Sequence, residues 1–170
     1  AVLHRAARVE LLALGEDAAA RGVAADAPEL EEGRVADEIE HAFYEAMQGG
    51  DIEKLMACWA DEDDIVCVHP DGPRVVGGVA IRATFDAMFS NGPIRAMPER
   101  VRKVESMAAS VHNVLERIDV LTAEGPGRAW VIATNVYHKT AQGWRLVVHH
   151  ASPGTPSEMQ EVSDAPQVLH

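Results

Sequence analysis

Residues 61–78 read DEDDIVCVHPDGPRVVGG, and the reading of this stretch decides the fold. An acidic turn leads into Ile65, Val66, Cys67, Val68 and His69, a run rich in β-branched side chains that fit a pleated, half-buried strand. Pro70 ends the run and keeps His69 extended, because the proline ring clashes with a helical backbone in the residue before it. Asp71, Gly72 and Pro73 form a turn, residues 74–76 offer a second brief strand, and Gly77-Gly78 leads into the next segment. One histidine therefore stands where a rigid strand meets a loop, a position that scaffolds often give to function.

Upstream of this stretch, Val35, Ile39, Ala42, Phe43 and Met47 recur at helical spacing, and Gly49-Gly50 closes that helix. Asp51 caps a second helix, with Leu55, Cys58 and Trp59 on its buried face and Glu53 in the first turn, where a negative charge is favoured. Downstream, Val79, Ile81, Phe85, Met88 and Phe89 predict a third helix over 79–90, stopped by Asn91-Gly92-Pro93. The pattern then changes to four strand-like runs, 99–107, 111–122, 128–140 and 143–152, with the plainest hairpin turns at 124–127 and 141–143. Helices followed by antiparallel strands predict an α+β domain over 35–153, three helices lying on the concave face of a strongly curved sheet. Residues 1–34 read as an N-terminal extension, helical or flexible, and 154–170 as a tail with few apolar residues.

Composition bounds what the domain handles. A length of 170 residues, 47% apolar and 25% charged, fits one domain with a sizeable core. The net charge of -12 argues against a nucleic-acid partner, which needs clustered Lys and Arg. No apolar run reaches a membrane span, the first residues lack the layout of a secretory signal, and Cys58 and Cys67 read as reduced core thiols. A cytoplasmic setting is the expectation. His69, His112, His138, His149 and His150 have no tight ligand spacing, so no metal site is expected. Apolar side chains on both faces of the last strands, including Trp130, Val131, Ile132, Val147 and Val148, exceed what one interior can bury and predict a homodimer.

Four landmarks carry a family resemblance: Gly50-Asp51 with Trp59-Ala60-Asp61, His69-Pro70 with Gly77-Gly78, Glu116-Arg117-Ile118-Asp119, and Gly143-Trp144-Arg145 leading to His149-His150-Ala151-Ser152. Their order resembles the SnoaL-like proteins of the nuclear transport factor 2-like superfamily, over about 35–153. That superfamily contains ketosteroid isomerase, scytalone dehydratase, limonene epoxide hydrolase and polyketide cyclases, together with non-catalytic dimerisation and hub domains. The resemblance implies a cone-shaped domain whose pocket takes a small molecule, apolar with a carbonyl or hydroxyl, and requires no organic cofactor.

Within the resemblance, His69 stands where isomerase-like members carry a carboxylate base, and a neutral imidazole can exchange a proton near neutral pH. Phe43 falls at the position of the isomerase's oxyanion tyrosine, with Tyr44 one residue away and about 100° round the helix. The isomerase's second oxyanion acid corresponds to Thr134 or Asn135, only one of which can face the interior. Arg117 and Asp119 share a strand face, as in the Asp-Arg-Asp set of limonene epoxide hydrolase, but the third member of that set corresponds to Leu146. Strand parity puts Trp144, Leu146, Val148, His150 and Ser152 on one face. Because the alternate face begins with Arg145, the face of His150 is expected inward. Phe43, Tyr44, Trp59, Thr134, Arg117 and Asp119 are expected to line the pocket, with His69, His150 and Asn135 as the candidate catalytic groups. Two functional readings stand: an isomerase, dehydratase or cyclase using His69 for proton transfer, and a non-catalytic ligand-binding or dimerisation module of the same fold.

Overall fold

The computed structural model describes residues 35–154, so the expectations for the N-terminal extension and for the tail beyond 154 lie outside the described residues. The element order is α1 (Ala36–Gly49), α2 (Ile52–Ala57), β1 (Val66–Val68), β2 (Arg74–Val76), α3 (Gly78–Phe89), β3 (Ala96–Glu105), β4 (Ala109–Thr122), β5 (Gly125–Thr140) and β6 (Gly143–Pro153). This is an α+β architecture with a six-stranded curved sheet, in the order β2-β1-β6-β5-β4-β3, and three helices.

Local chemistry accounts for the helical hairpin. Gly50 ends α1 in the left-handed conformation, φ 64°, which a residue without Cβ adopts freely, and its N–H bonds back to the last turn. Asp51 then accepts from the Lys54 N–H at 3.0 Å, satisfying one of the orphan donors at the start of α2. Ile39, Phe43 and Met47 form the apolar stripe of α1 and share one buried cluster with Leu55, Trp59 and Phe85 and with Val114 and Leu146 of the sheet. Phe43 is the hub: its ring lies edge-on to those of Tyr44, Trp59 and Phe85 at centroid separations of 5.6, 6.3 and 6.2 Å.

The sheet departs from the all-antiparallel expectation at one edge. β1 runs parallel to β6, with Cys67 opposite His149 and Val68 opposite His150, while the other pairs are antiparallel. The segment after α2 joins the same edge of β6: Leu146 N–H donates to Cys58 O at 2.8 Å and Ala60 N–H to Leu146 O at 2.9 Å.

A second departure has larger consequences. Along β5 and β6 the register pairs Val136 with Val148 but Tyr137 with Leu146, leaving Val147 as an extra residue. Such a bulge adds one residue to the alternation, so every side chain beyond it changes face relative to those before it. Leu146 and His149 therefore both face the helices, and His150 faces away; this corrects the expectation of strict parity from Trp144 to Ser152.

Candidate functional site

The interior beneath the helices is not uniformly apolar. Glu40 on α1, His112 and Glu116 on β4, Asn135 on β5 and His149 on β6 are all buried with the core. A polar group removed from water is costly unless it is hydrogen-bonded, and these groups bond one another. Glu40 Oε2 accepts from the His112 ring at Nδ1 (2.9 Å), from the Tyr137 hydroxyl (3.1 Å) and from Asn135 Nδ2 (3.4 Å). The Tyr44 hydroxyl donates to Glu116 Oε1 at 2.6 Å and accepts from Asn135 Nδ2 at 3.2 Å. Asn135 Oδ1 meets His149 Nδ1 at 2.7 Å, and Ser110 Oγ completes the far end at 2.9 Å from His112 Nε2. The result is one connected chain from His149 through Asn135 to two buried carboxylates.

His69 joins this chain through ring contacts. Cys67 and His69 share the inward face of the β1 segment, with Cys67 Sγ 3.5 Å from His69 Nε2. The half-buried His69 packs edge-on against Phe85 at 5.0 Å, and its ring centroid lies 5.9 Å from that of His149, which in turn lies 5.3 Å from Phe43. Two imidazoles thus stand side by side against an aromatic wall.

Burial sets the electrostatics. It lowers the His69 imidazole to about 4. It lowers His149 to about 3, with the neighbouring His69 and His150 adding to the effect. Both rings are neutral at neutral pH. Burial raises the Glu116 carboxyl to about 7; the hydrogen bond from Tyr44 opposes the shift and the charge of Glu40 reinforces it. Burial also pushes the Cys67 thiol up to about 12, so it is no nucleophile near neutral pH.

The expected site residues divide accordingly. His69, Phe43, Trp59, Tyr44 and Asn135 all belong to the interior. Thr134 faces outward and accepts from Asn113 Nδ2 at 3.2 Å, so Asn135 holds the inward position of that pair. His150 is exposed and paired with Thr134, and the bulge at Val147 gives its inward place to His149. Arg117 and Asp119 lie on the sheet face opposite Glu116; Arg117 forms ion pairs with Glu99 (3.1 Å) and Asp119 (3.7 Å) and does not line the interior. Tyr44 is displaced from the tyrosine position implied by the resemblance, yet its hydroxyl still reaches the polar chain.

Glu40, His112, Glu116, Tyr137 and His149 were not anticipated as a group. Two signals were available: Glu40 lies four residues after Ala36 and three before Phe43 on the apolar stripe, and Glu116 has the strand parity of His112 and Val114. For a metal, the described residues offer donor atoms of Asp37, Glu105 and His112 within 4.8 Å of one another. The Lys103 ammonium already lies 2.6 Å from Asp37 Oδ1, and Ser110 engages His112 Nε2, so two of the three have other partners.

The pKa shifts predict opposite pH responses. His69 and His149 are harder to protonate folded than unfolded, so the stability they contribute is present above about 6.5 and is lost as pH falls towards about 4 and about 3. Glu116 holds its proton more tightly when folded, so its contribution is present below 4.5 and is lost as pH rises through about 7. In Glu116→Gln the alkaline decline should flatten. Thermal midpoints of both proteins from about pH 5 to about pH 8 measure this, and parallel curves would contradict it.

Comparison with known proteins adds what the geometry alone does not. No curated protein matches the sequence. Among solved structures, one from Thiobacillus denitrificans, whose name proposes a calcium/calmodulin-dependent protein kinase type II association domain, is 32% identical. It covers 71% of this chain and 96% of its own, with a TM-score of 0.64. A second, from Streptomyces avermitilis, whose name proposes a dehydratase of the NTF2-like family, is 28% identical over 69% of this chain and 93% of its own, with a TM-score of 0.62. A CaMKII hub from S. rosetta, 19% identical over 69% of this chain and 92% of its own with a TM-score of 0.58, shares the fold. The model of the SnoaL-like domain matches residues 37–156, and the chain belongs to that family of NTF2-like, cystatin-like folds.

Proposed function

We propose that the domain takes an uncharged, largely apolar small molecule carrying a carbonyl or hydroxyl, and that it acts on it by proton transfer in a reaction of the isomerase or dehydratase type. The observation that carries this reading is the pairing of two neutral imidazoles, His69 and His149, beside Phe43 and Phe85, backed by a hydrogen-bonded chain ending on Glu40 and Glu116. A module that only held subunits together could fill this volume with apolar side chains at less cost, since buried polar groups are expensive even when paired. Perturbed titratable groups gathered in one interior are a mark of functional sites. The buried carboxylates and the absence of Lys or Arg from this hydrogen-bonded chain, among the described residues, disfavour an anionic ligand. His69, the more accessible of the two imidazoles, is the group assigned to exchange protons with the ligand. No organic cofactor enters this reading.

The test is a panel of uncharged ring ketones and alcohols, with carboxylates of matched size, read by amide chemical shifts of the labelled protein. Binding of the uncharged set around His69, Phe43 and Phe85 is expected. His69→Ala should weaken it by roughly tenfold, about 1.4 kcal/mol, with the thermal midpoint nearly unchanged. Selective binding of the carboxylates, or shifts confined to the outer sheet face, would overturn the reading.

Self-association accompanies this function. Trp130, Ile132, Val136 and Val148 lie half-buried on the sheet face away from the helices, and two similar structures are named as association or hub domains. We propose a homodimer through this face; Val131 and Val147, also expected there, are buried within the chain. The buried thiols Cys58 and Cys67 support a reducing, cytoplasmic setting. Among the described residues no helix is long and apolar enough to cross a membrane. Light scattering at micromolar concentration should give twice the chain mass, and Ile132→Asp should reduce it to one; a wild-type monomer would overturn the dimer.

A further inference from the structure

The amide of Asn135 can point only one way. Its Nδ2 faces Glu40 Oε2 and the Tyr44 hydroxyl oxygen. A carboxylate oxygen can only accept, and the Tyr44 proton is already given to Glu116 Oε1, so both neighbours require a donor at that position. Asn135 Oδ1 must then face His149, and at 2.7 Å it can be satisfied only by a proton on Nδ1. A neutral imidazole carries one such proton, so Nε2 keeps its lone pair.

That lone pair is unused. Among the described residues His149 Nε2 has no hydrogen bond, and the ring's one such bond is made through Nδ1. His149 is buried, and its ring packs against those of Phe43 and His69. His112, the other buried histidine bonded to Glu40, has both ring nitrogens engaged. On the opposite sense of polarity, the Trp59 indole N–H is a buried donor without an acceptor among the described residues, and Trp59 and His149 both pack on Phe43.

We propose that His149 Nε2 is a fixed hydrogen-bond acceptor for the ligand's hydroxyl group, making the site selective for hydroxyl-bearing ring compounds, with Asn135 and Glu40 as positioning residues that hold the tautomer. This deepens the proposed function and rests on it for the existence of a ligand; the tautomer itself stands independently. A site built to accept from a hydroxyl discriminates strongly against the analogue lacking it, because the buried acceptor is then left unpaired. The neutrality of His149 keeps this acceptor available across the ordinary pH range.

The experiment uses the full chain, labelled with nitrogen-15, and long-range proton–nitrogen correlation of the histidine rings at pH near 7. The wild-type spectrum should give His149 a protonated Nδ1 and an unprotonated Nε2. In Glu40→Gln, a side chain that can donate as well as accept, only the Tyr44 oxygen still demands a donor from Asn135, so the His149 pattern should become mixed. A wild-type ring protonated on Nε2 overturns the proposal, and an unchanged pattern in Glu40→Gln overturns the role of Glu40. Phenol and benzene are then the ligand probes. Phenol should shift the His149 Nε2 resonance and benzene at equal concentration should not; equal effects, or none from phenol, overturn the acceptor assignment. Binding of ring ketones with no preference for a hydroxyl would leave the proposed function intact and sink this inference alone.

Discussion

The hydrogen bonds of one side chain, Asn135, hold the interior of this domain together. It is fully buried, and its two ends reach three groups on two other elements: Glu40 and Tyr44 on α1, and His149 on β6. Through Glu40 and Tyr44 the connection extends to His112 and Glu116 on β4 and Tyr137 on β5. Low local polarity strengthens each bond and makes each unpaired group expensive, so the members of such a chain are satisfied together or fail together. Removing the Tyr44 hydroxyl, for example, leaves a buried carboxylate oxygen without its donor, an effect on the order of 1–3 kcal/mol.

The fold serves this chain by bringing its members to one side of the sheet. Helix α1 contributes apolar residues and a carboxylate from the same stripe, because Ile39, Glu40 and Phe43 lie within one turn of each other. The long strands present His112, Val114 and Glu116 at alternate positions. The bulge at Val147 is the device that brings β6 into line, turning His149 inward while Leu146 keeps its place against β5 and the segment after α2. The same device leaves His150 on the outer face, with the apolar side chains proposed to meet a second copy.

Much of this was legible in the sequence, and the reasons it stopped where it did are physical. Helical spacing at Ile39, Phe43 and Met47, the Asp51 cap and the strand ended by Pro70 are local signals, and the elements follow them closely, whereas the turn expected at 124–127 falls at 123–124 because Gly125, Pro126 and Gly127 pair with β4. Residues 74–76 form the second strand as expected. The parallel pairing of β1 with β6 depends on where the 59–60 segment docks, which no local pattern encodes. The bulge is likewise a matter of pairing between two strands: Arg145 to Ser152 reads as unbroken alternation, and only the partner β5 reveals the extra residue. The inward position of His149 is therefore beyond strand parity, whereas helical spacing puts Glu40 and strand parity puts Glu116 on buried faces, against the usual solvation of charged residues.

Coupling between Glu40 and His149 tests most directly whether the interior chain is one unit, since the two share Asn135 as a common partner. A double-mutant cycle with Glu40→Gln and His149→Phe, measured by urea unfolding, isolates that coupling. If Asn135 transmits the constraint, the double variant should differ from the sum of the singles by about 0.5–3 kcal/mol. Additivity to within about 0.3 kcal/mol would mean that the carboxylate and the imidazole act separately, and would contradict the central role of Asn135.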